Sequence, residues 1–283
     1  MIRYILKRVF LIIPTVLLIV LIIFGIMDLT PASPGQLMLG TKGTPEKIAE
    51  INHELGYDRP FVVRYFDYVI KMLKGDLGIS YTTKRDVATE IFKRFPTTAK
   101  LAIAGMSLAL LIGIPLGILA SVKQYSIFDA IGTTGAMFMA SMPGFWFGLM
   151  LILLFSLKLG WLPSNGSDSF RHYILPAITL AASESAVILR LTRTTMLEAL
   201  RQDYVRTARA KGQVERKIVF RHALKNALIP VVTLAGIDFG FALGGVVTVE
   251  SVFSINGVGT MIIEAIRMKD VPVVTGCAVV LSI

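Results

Sequence analysis

The chain has 283 residues, of which 54% are hydrophobic and 17% charged. A soluble domain carries roughly 25% charge, so this composition excludes an ordinary soluble protein and points to an all-helical, multi-pass membrane protein. The net charge of +10 is concentrated beside apolar segments, as on the cytoplasmic flanks of membrane helices, so no nucleic-acid partner is expected. The lone cysteine, Cys277, lies in an apolar run, which leaves no disulfide framework, thiol metal cluster or redox chemistry to read.

Arg3, Lys7 and Arg8 precede Val9 to Met27, an uncharged run of about 19 residues that can cross the roughly 30 Å hydrocarbon layer as a helix. It exceeds the apolar core of a signal peptide and more apolar runs follow, so an uncleaved first helix with a cytoplasmic N-terminus is expected. Residues 1–28 form this first region. Residues 29–97 are polar, with turn-forming TPASPG at Thr30 to Gly35 and GDLG at Gly75 to Gly78. They read as an ordered extracytoplasmic region. Thr44 before Pro45 opens a helix to Leu55, and Phe61 to Leu73 repeats apolar residues at helical spacing, which suggests short amphipathic helices on the outer surface.

Residues 98–283 carry further spans at about Thr98 to Val122, Ile131 to Leu157, Tyr173 to Leu191 and Ala227 to Val249. The last apolar run, Val271 to Ile283, is about 13 residues, too short for a straight crossing at about 1.5 Å per residue, and reads as a truncated sixth helix, with a re-entrant segment as the alternative. Gly113 and Gly117 flank Pro115 in the second span, a place for a kink. In the fifth span Gly236, Gly240 and Gly244 recur every fourth residue and allow close helix packing, within the subunit or between subunits. Glu184 and Asp238 are the ionisable groups deepest in the spans, candidates for a translocation path. A rival scheme makes one of them the coupling carboxyl of an ion-driven secondary transporter. The structural alternative for Glu184 is pairing with Arg190 or Arg193, or, for either acid, a polar contact with a neighbouring helix.

Between the fourth and fifth spans lies DYVRTARAKGQVERKIVFRHALKNALIP, Asp203 to Pro230. It is basic, rich in helix formers and interrupted by Gly212, so it reads as two short helices with a break in a structured cytoplasmic loop. The positive-inside pattern agrees: Arg201, Arg206, Arg209, Lys211, Arg216, Lys217, Arg221 and Lys225 outnumber Glu198, Asp203 and Glu215. No phosphate loop, H-E-x-x-H or G-x-S-x-G occurs, so no catalytic residue is assigned and the chain is not expected to hydrolyse ATP. His53, His172 and His222 fall in different loops, so no metal site is assigned.

Ordered blocks across nearly the whole chain carry a resemblance. They are LGYDRP (Leu55 to Pro60), GDLGISY (Gly75 to Tyr81), MPGFWFG (Met142 to Gly148), LGWLPSNG (Leu159 to Gly166), YILPAITL (Tyr173 to Leu180), RLTRTTMLEALRQDYVRTARAKG (Arg190 to Gly212), RHALKNALIP (Arg221 to Pro230) and VESVFSINGVG (Val249 to Gly259). The chain resembles permease subunits of binding-protein-dependent ABC importers, the first permease of the dipeptide, oligopeptide and nickel group.

The resemblance implies a type I importer permease, with six helices in the complete protein, in a bacterial or archaeal plasma membrane. It implies a second homologous permease, two ABC ATPases that use ATP and Mg, an extracytoplasmic substrate-binding protein and surrounding lipid, with no cofactor bound by this chain. The family's coupling motif, E-A-A-x-x-x-G, maps onto Arg206, Thr207, Ala208 and Gly212. Its alanine and glycine are kept and its glutamate is not; Lys225 and Asn256 stand where relatives commonly have proline. Contact with an ATPase is thereby expected of Asp203, Tyr204, Arg206, Ala208, Ala210, Lys211, Gly212, Arg221 and His222, with small Ala208 letting the helix enter a cleft on the partner and Gly212 allowing a sharp turn.

Overall fold

The computed structural model describes residues 2–29 and 31–282. The side chains of Arg3, Lys7 and Arg8, and residue Ile283, lie outside the described residues. Among those described the chain is helical, its single β contact being an isolated bridge between Ile79 and Asp86. Four helices are long and apolar enough to cross a membrane, or five if a bent pair counts as one span. The chain divides into two compact units, Met1–Pro96 with Gly257–Ile283, and Thr97–Asn256.

In the first unit α1 (Ile2–Leu29) is followed by α2 (Pro34–Leu39), α3 (Pro45–Glu54) and α4 (Phe61–Leu73), and the chain returns as α12 (Val258–Arg267) and α13 (Val271–Ser282). Ser33 and Gln36 close a reciprocal capping box at the start of α2, and Thr44 caps α3; each supplies an acceptor to backbone N–H groups that a helix start leaves free. Expected on the outer surface, α4 packs Tyr68 and Val69 onto α1 around Phe24, while its opposite face keeps Val62, Phe66 and Ile70 exposed. Buried Asp270, just before α13, accepts from the Ser80 hydroxyl at 2.6 Å and from the backbone N–H groups of Tyr81 and Thr82 at 3.1 and 3.0 Å. Three donors on one carboxylate offset much of its desolvation and tie the GDLGISY segment to the last helix.

The second unit is built around α8 (Arg171–Leu200), with α5 (Val87–Val122, which enters the unit at Thr97), α6 (Ile127–Ser141), α7 (Gly144–Leu151), α9 (Asp203–Ala210), α10 (Glu215–Lys217) and α11 (Leu224–Val252). The third span is not a single helix. Met142 and Pro143 are extended, and α6 meets α7, with its π-helical continuation Ile152–Lys158, at 100°. The reason is local: Pro143 has no N–H to give the helix, and its ring drives Met142 out of the helical region.

Helix α5 lies against α8 through its glycines. A Cβ on Gly105 would meet Leu180 Cβ at 2.8 Å, one on Gly113 the Ser185 carbonyl at 2.8 Å, and one on Gly117 Thr192 Cβ at 2.6 Å and the Leu189 carbonyl at 2.7 Å. Two of those atoms are backbone and cannot yield, so these glycines set the interhelical distance, as small residues do between membrane helices. Gly117→Val should destabilise the subunit by at least about 1–3 kcal/mol, the usual cost of overpacking. A lowered thermal midpoint in detergent, with Gly25→Val, whose Cβ meets nothing within 4 Å, unchanged, would check it.

Candidate functional site

The loop between α8 and α11 folds as the break at Gly212 suggests. Gln202 is extended, α9 runs for eight residues, and Gly212 takes φ +73°. Its N–H donates to the Arg209 carbonyl at 2.9 Å and the Gln213 N–H donates to the Ala208 carbonyl at 3.3 Å. That is a Schellman ending, in which a left-handed residue satisfies the last carbonyls of a helix, and a residue with a side chain is strained there. Chain direction then reverses into α10, the π-helical turn Ile218–Ala223 and α11. A bidentate Arg209–Glu215 pair, with distances of 3.2 and 2.6 Å, and a His222 Nε2 to Gln213 Oε1 contact of 2.7 Å bridge the two arms. The hydrogen bonds to Glu215 raise the pKa of the Arg209 guanidinium above its ordinary value.

Ala208 faces the opposite way from its expected role. It is 6% exposed and belongs with Met196, Val205, Ile218, Val219 and Ala223 in a core of this chain's own residues. Helix α9 is eight residues long, too short to hold itself in water, and this apolar face fixes it to α8 and α11; only a small side chain at 208 lets it sit so close. Outward-facing residues are Asp203, Tyr204, Arg206, Ala210, Lys211, Gly212 and Arg221, while His222 is half-buried. Val214 and Phe220, 72% and 55% exposed, join Arg216, Lys217 and Arg221 around a shallow hollow. Neither apolar residue stands out in the sequence, because a half-apolar amphipathic stretch reads as core-facing.

Within the spans, Glu184 lies midway along α8 and lines a cavity of about 390 Å³, while Asp238, half-buried on α11, is not in its lining. Glu184 does not pair with Arg193. That guanidinium makes two bonds, at 2.5 and 2.8 Å, to buried Asp129 near the start of α6. Nor is Arg190 placed to reach it, since six residues carry a helix about 240° round its axis. Two acids escape a span-by-span reading: Asp129, which falls between the second and third expected spans, and Glu250, fully buried and accepting from the Thr98 hydroxyl at 2.6 Å. Ser126, which caps α6 through the Asp129 N–H, is the sequence signal that places Asp129 in a first helical turn. Gly236, Gly240 and Gly244 are exposed, and an added Cβ on each would meet nothing within 4 Å. They do not pack within the chain, in contrast to Gly105, Gly113 and Gly117.

Residues 113–283 match the family described as the binding-protein-dependent transport system inner membrane component, and residues 1–102 match the N-terminal region of the same kind of transport component. The chain belongs to this family of ABC importer permeases. The permease is 42% identical over 274 residues to the glutathione transport system permease protein GsiC of Salmonella choleraesuis (strain SC-B67), an alignment covering 97% of this chain and 90% of that protein. It is 40% identical, with the same coverage, to GsiC of Escherichia coli (strain K12). A solved structure titled as inward-facing conformations of the MetNI methionine ABC transporter overlays with a TM-score of 0.53 at 20% identity, covering 68% of the permease and 90% of that chain. The fold is therefore that of a type I ABC importer permease, a multi-pass protein of the bacterial inner membrane. An ion-driven secondary transporter is set aside by the family.

Proposed function

We propose that the permease carries short peptides, or a related small solute such as a nickel chelate, through a pore it forms with a second homologous permease. Two ATPase subunits using ATP and Mg drive it, and an extracytoplasmic binding protein supplies the solute. One observation carries the substrate class: the 42% identity with a glutathione permease over 97% of the chain, glutathione being a tripeptide in chemistry. In this reading the basic flank of the first helix holds the N-terminus in the cytoplasm, which puts the loop at residues 203–225 on the ATPase side.

The exposed face of that loop, with Tyr204, Arg206, Val214, Phe220 and Arg221, offers apolar anchors ringed by cations, a surface suited to an acidic-rimmed pocket. Closure of the ATPases on nucleotide would move α9, and through its buried face α8 and α11, biasing a two-state equilibrium between inward-open and outward-open pores. The permease, reconstituted with its partners in proteoliposomes, should accumulate labelled glutathione or a dipeptide only when ATP is enclosed with the ATPases. Uptake of neither peptide by a complex that hydrolyses ATP in response to its binding protein would contradict the substrate class.

A further inference from the structure

The cavity beside α8 has features that transport alone does not require. It measures about 390 Å³, and Glu184 is the sole ionisable residue of its lining. Thr179, Ser183 and Thr248 add hydroxyls to the wall, and Phe145 and Phe241 add rings. Glu184 stands midway along a 30-residue helix, at the depth where an uncompensated carboxylate is most costly. Among the described residues no cation compensates it, because Arg193 is committed to Asp129. The volume falls in the roughly 300–1,000 Å³ range of small-molecule sites.

An acid in a cavity at membrane depth, with hydroxyls and aromatic side chains in its lining, is a receptor for a positive group attached to a modest apolar body. A protonated amine would hydrogen-bond the carboxylate and lie against ring faces that favour cations. We propose that this cavity is a subsite for the protonated amino group of the transported solute, with Glu184 as its counter-ion and Phe145 and Phe241 as its apolar wall. It rests on the reading of the permease as a carrier of small solutes and narrows it to solutes that bear a free amine. A peptide has one at its N-terminus.

A binding measurement on the assembled transporter, purified with its partner subunits, tests the site apart from uptake. The probes are phenethylammonium and its uncharged counterpart 2-phenylethanol, followed by ligand-observed NMR titration. Wild type should bind the ammonium at least tenfold more tightly than the alcohol; Glu184→Gln should abolish that preference and leave alcohol binding as it was. Equal affinity for both probes in wild type, or an undiminished ammonium preference in Glu184→Gln, overturns the proposal. Loss of uptake in Glu184→Gln without any ammonium preference in wild type would overturn it too, leaving Glu184 a structural or proton-carrying group. An ammonium preference that depends on Glu184, in a transporter that takes up no peptide, would contradict the peptide reading and leave the amine site standing.

Discussion

Ala208→Asp should abolish ATP-driven uptake, by tenfold or more, in a subunit that still inserts in the membrane. The substituted carboxylate would replace a methyl group packed among the apolar side chains of Val205, Ile218, Val219 and Ala223, all buried. Burying an unpaired ionised group costs on the order of 3 kcal/mol or more, and an eight-residue helix has little local stability to set against that. Helix α9 would detach from α8 and α11 while the membrane helices stay folded, so the expected signature is new protease cleavage between residues 203 and 215 together with unchanged membrane yield. Ala210→Asp makes the same chemical change on the exposed side of the same helix. It should leave the loop resistant to protease, and any loss of uptake it causes reports on the contact surface instead. Equal protease sensitivity of both variants would contradict the inward assignment of Ala208.

Arg193→Ala carries the second large effect. Its guanidinium grips Asp129 with two bonds at 2.5 and 2.8 Å, and the same carboxylate accepts from the Tyr125 N–H at 3.0 Å. Removing one member of this partly buried pair leaves the other without its partner, at about 1–3 kcal/mol, so the thermal midpoint of the purified complex should fall below that of wild type. Arg193→Lys should recover only part of the loss, since a single ammonium cannot reproduce the two-pronged contact. Leu at both positions should be milder than either single change, because no charge is left unpaired. A reversed pair should restore little: Asp129 lies in the first turn of α6, where the helix dipole favours an acid and opposes a base. An Arg193→Ala complex as stable as wild type would show that water already solvates Asp129.

The expectations that held rest on features local in sequence. A run of apolar residues without charge must be a helix in a bilayer, because only a helix satisfies its own backbone there, and so α1, α5, α8 and α11 each contain one of the expected apolar runs, although α5 starts at Val87 and α8 continues to Leu200. Gly212 likewise needs no tertiary information, since a glycine after a short run of helix formers is a helix end. The departures depend on which face of an element meets which neighbour. Ala208 and Ala210 are chemically the same and differ only in the direction they point, inward and outward. Gly113 reads as part of a kink and Gly236 as a packing glycine, yet a Cβ on the first would collide with α8 and one on the second would meet nothing. Arg193, nine residues from Glu184, reads as a plausible partner for it, but helix geometry turns it toward Asp129, 64 residues away. The bend at Met142–Pro143 was legible in principle, for proline after an apolar run is a breaker, but averaged hydropathy runs straight through it.

The most direct test of the account is purification of the tagged permease in mild detergent from the cells that make it, with the co-purifying proteins identified and the complex assayed for ATP hydrolysis. Recovery of a homologous permease and a phosphate-loop ATPase, with hydrolysis that Ala208→Asp disconnects from uptake, is the predicted result. A folded permease that transports its solute with no ATPase bound or required would contradict it.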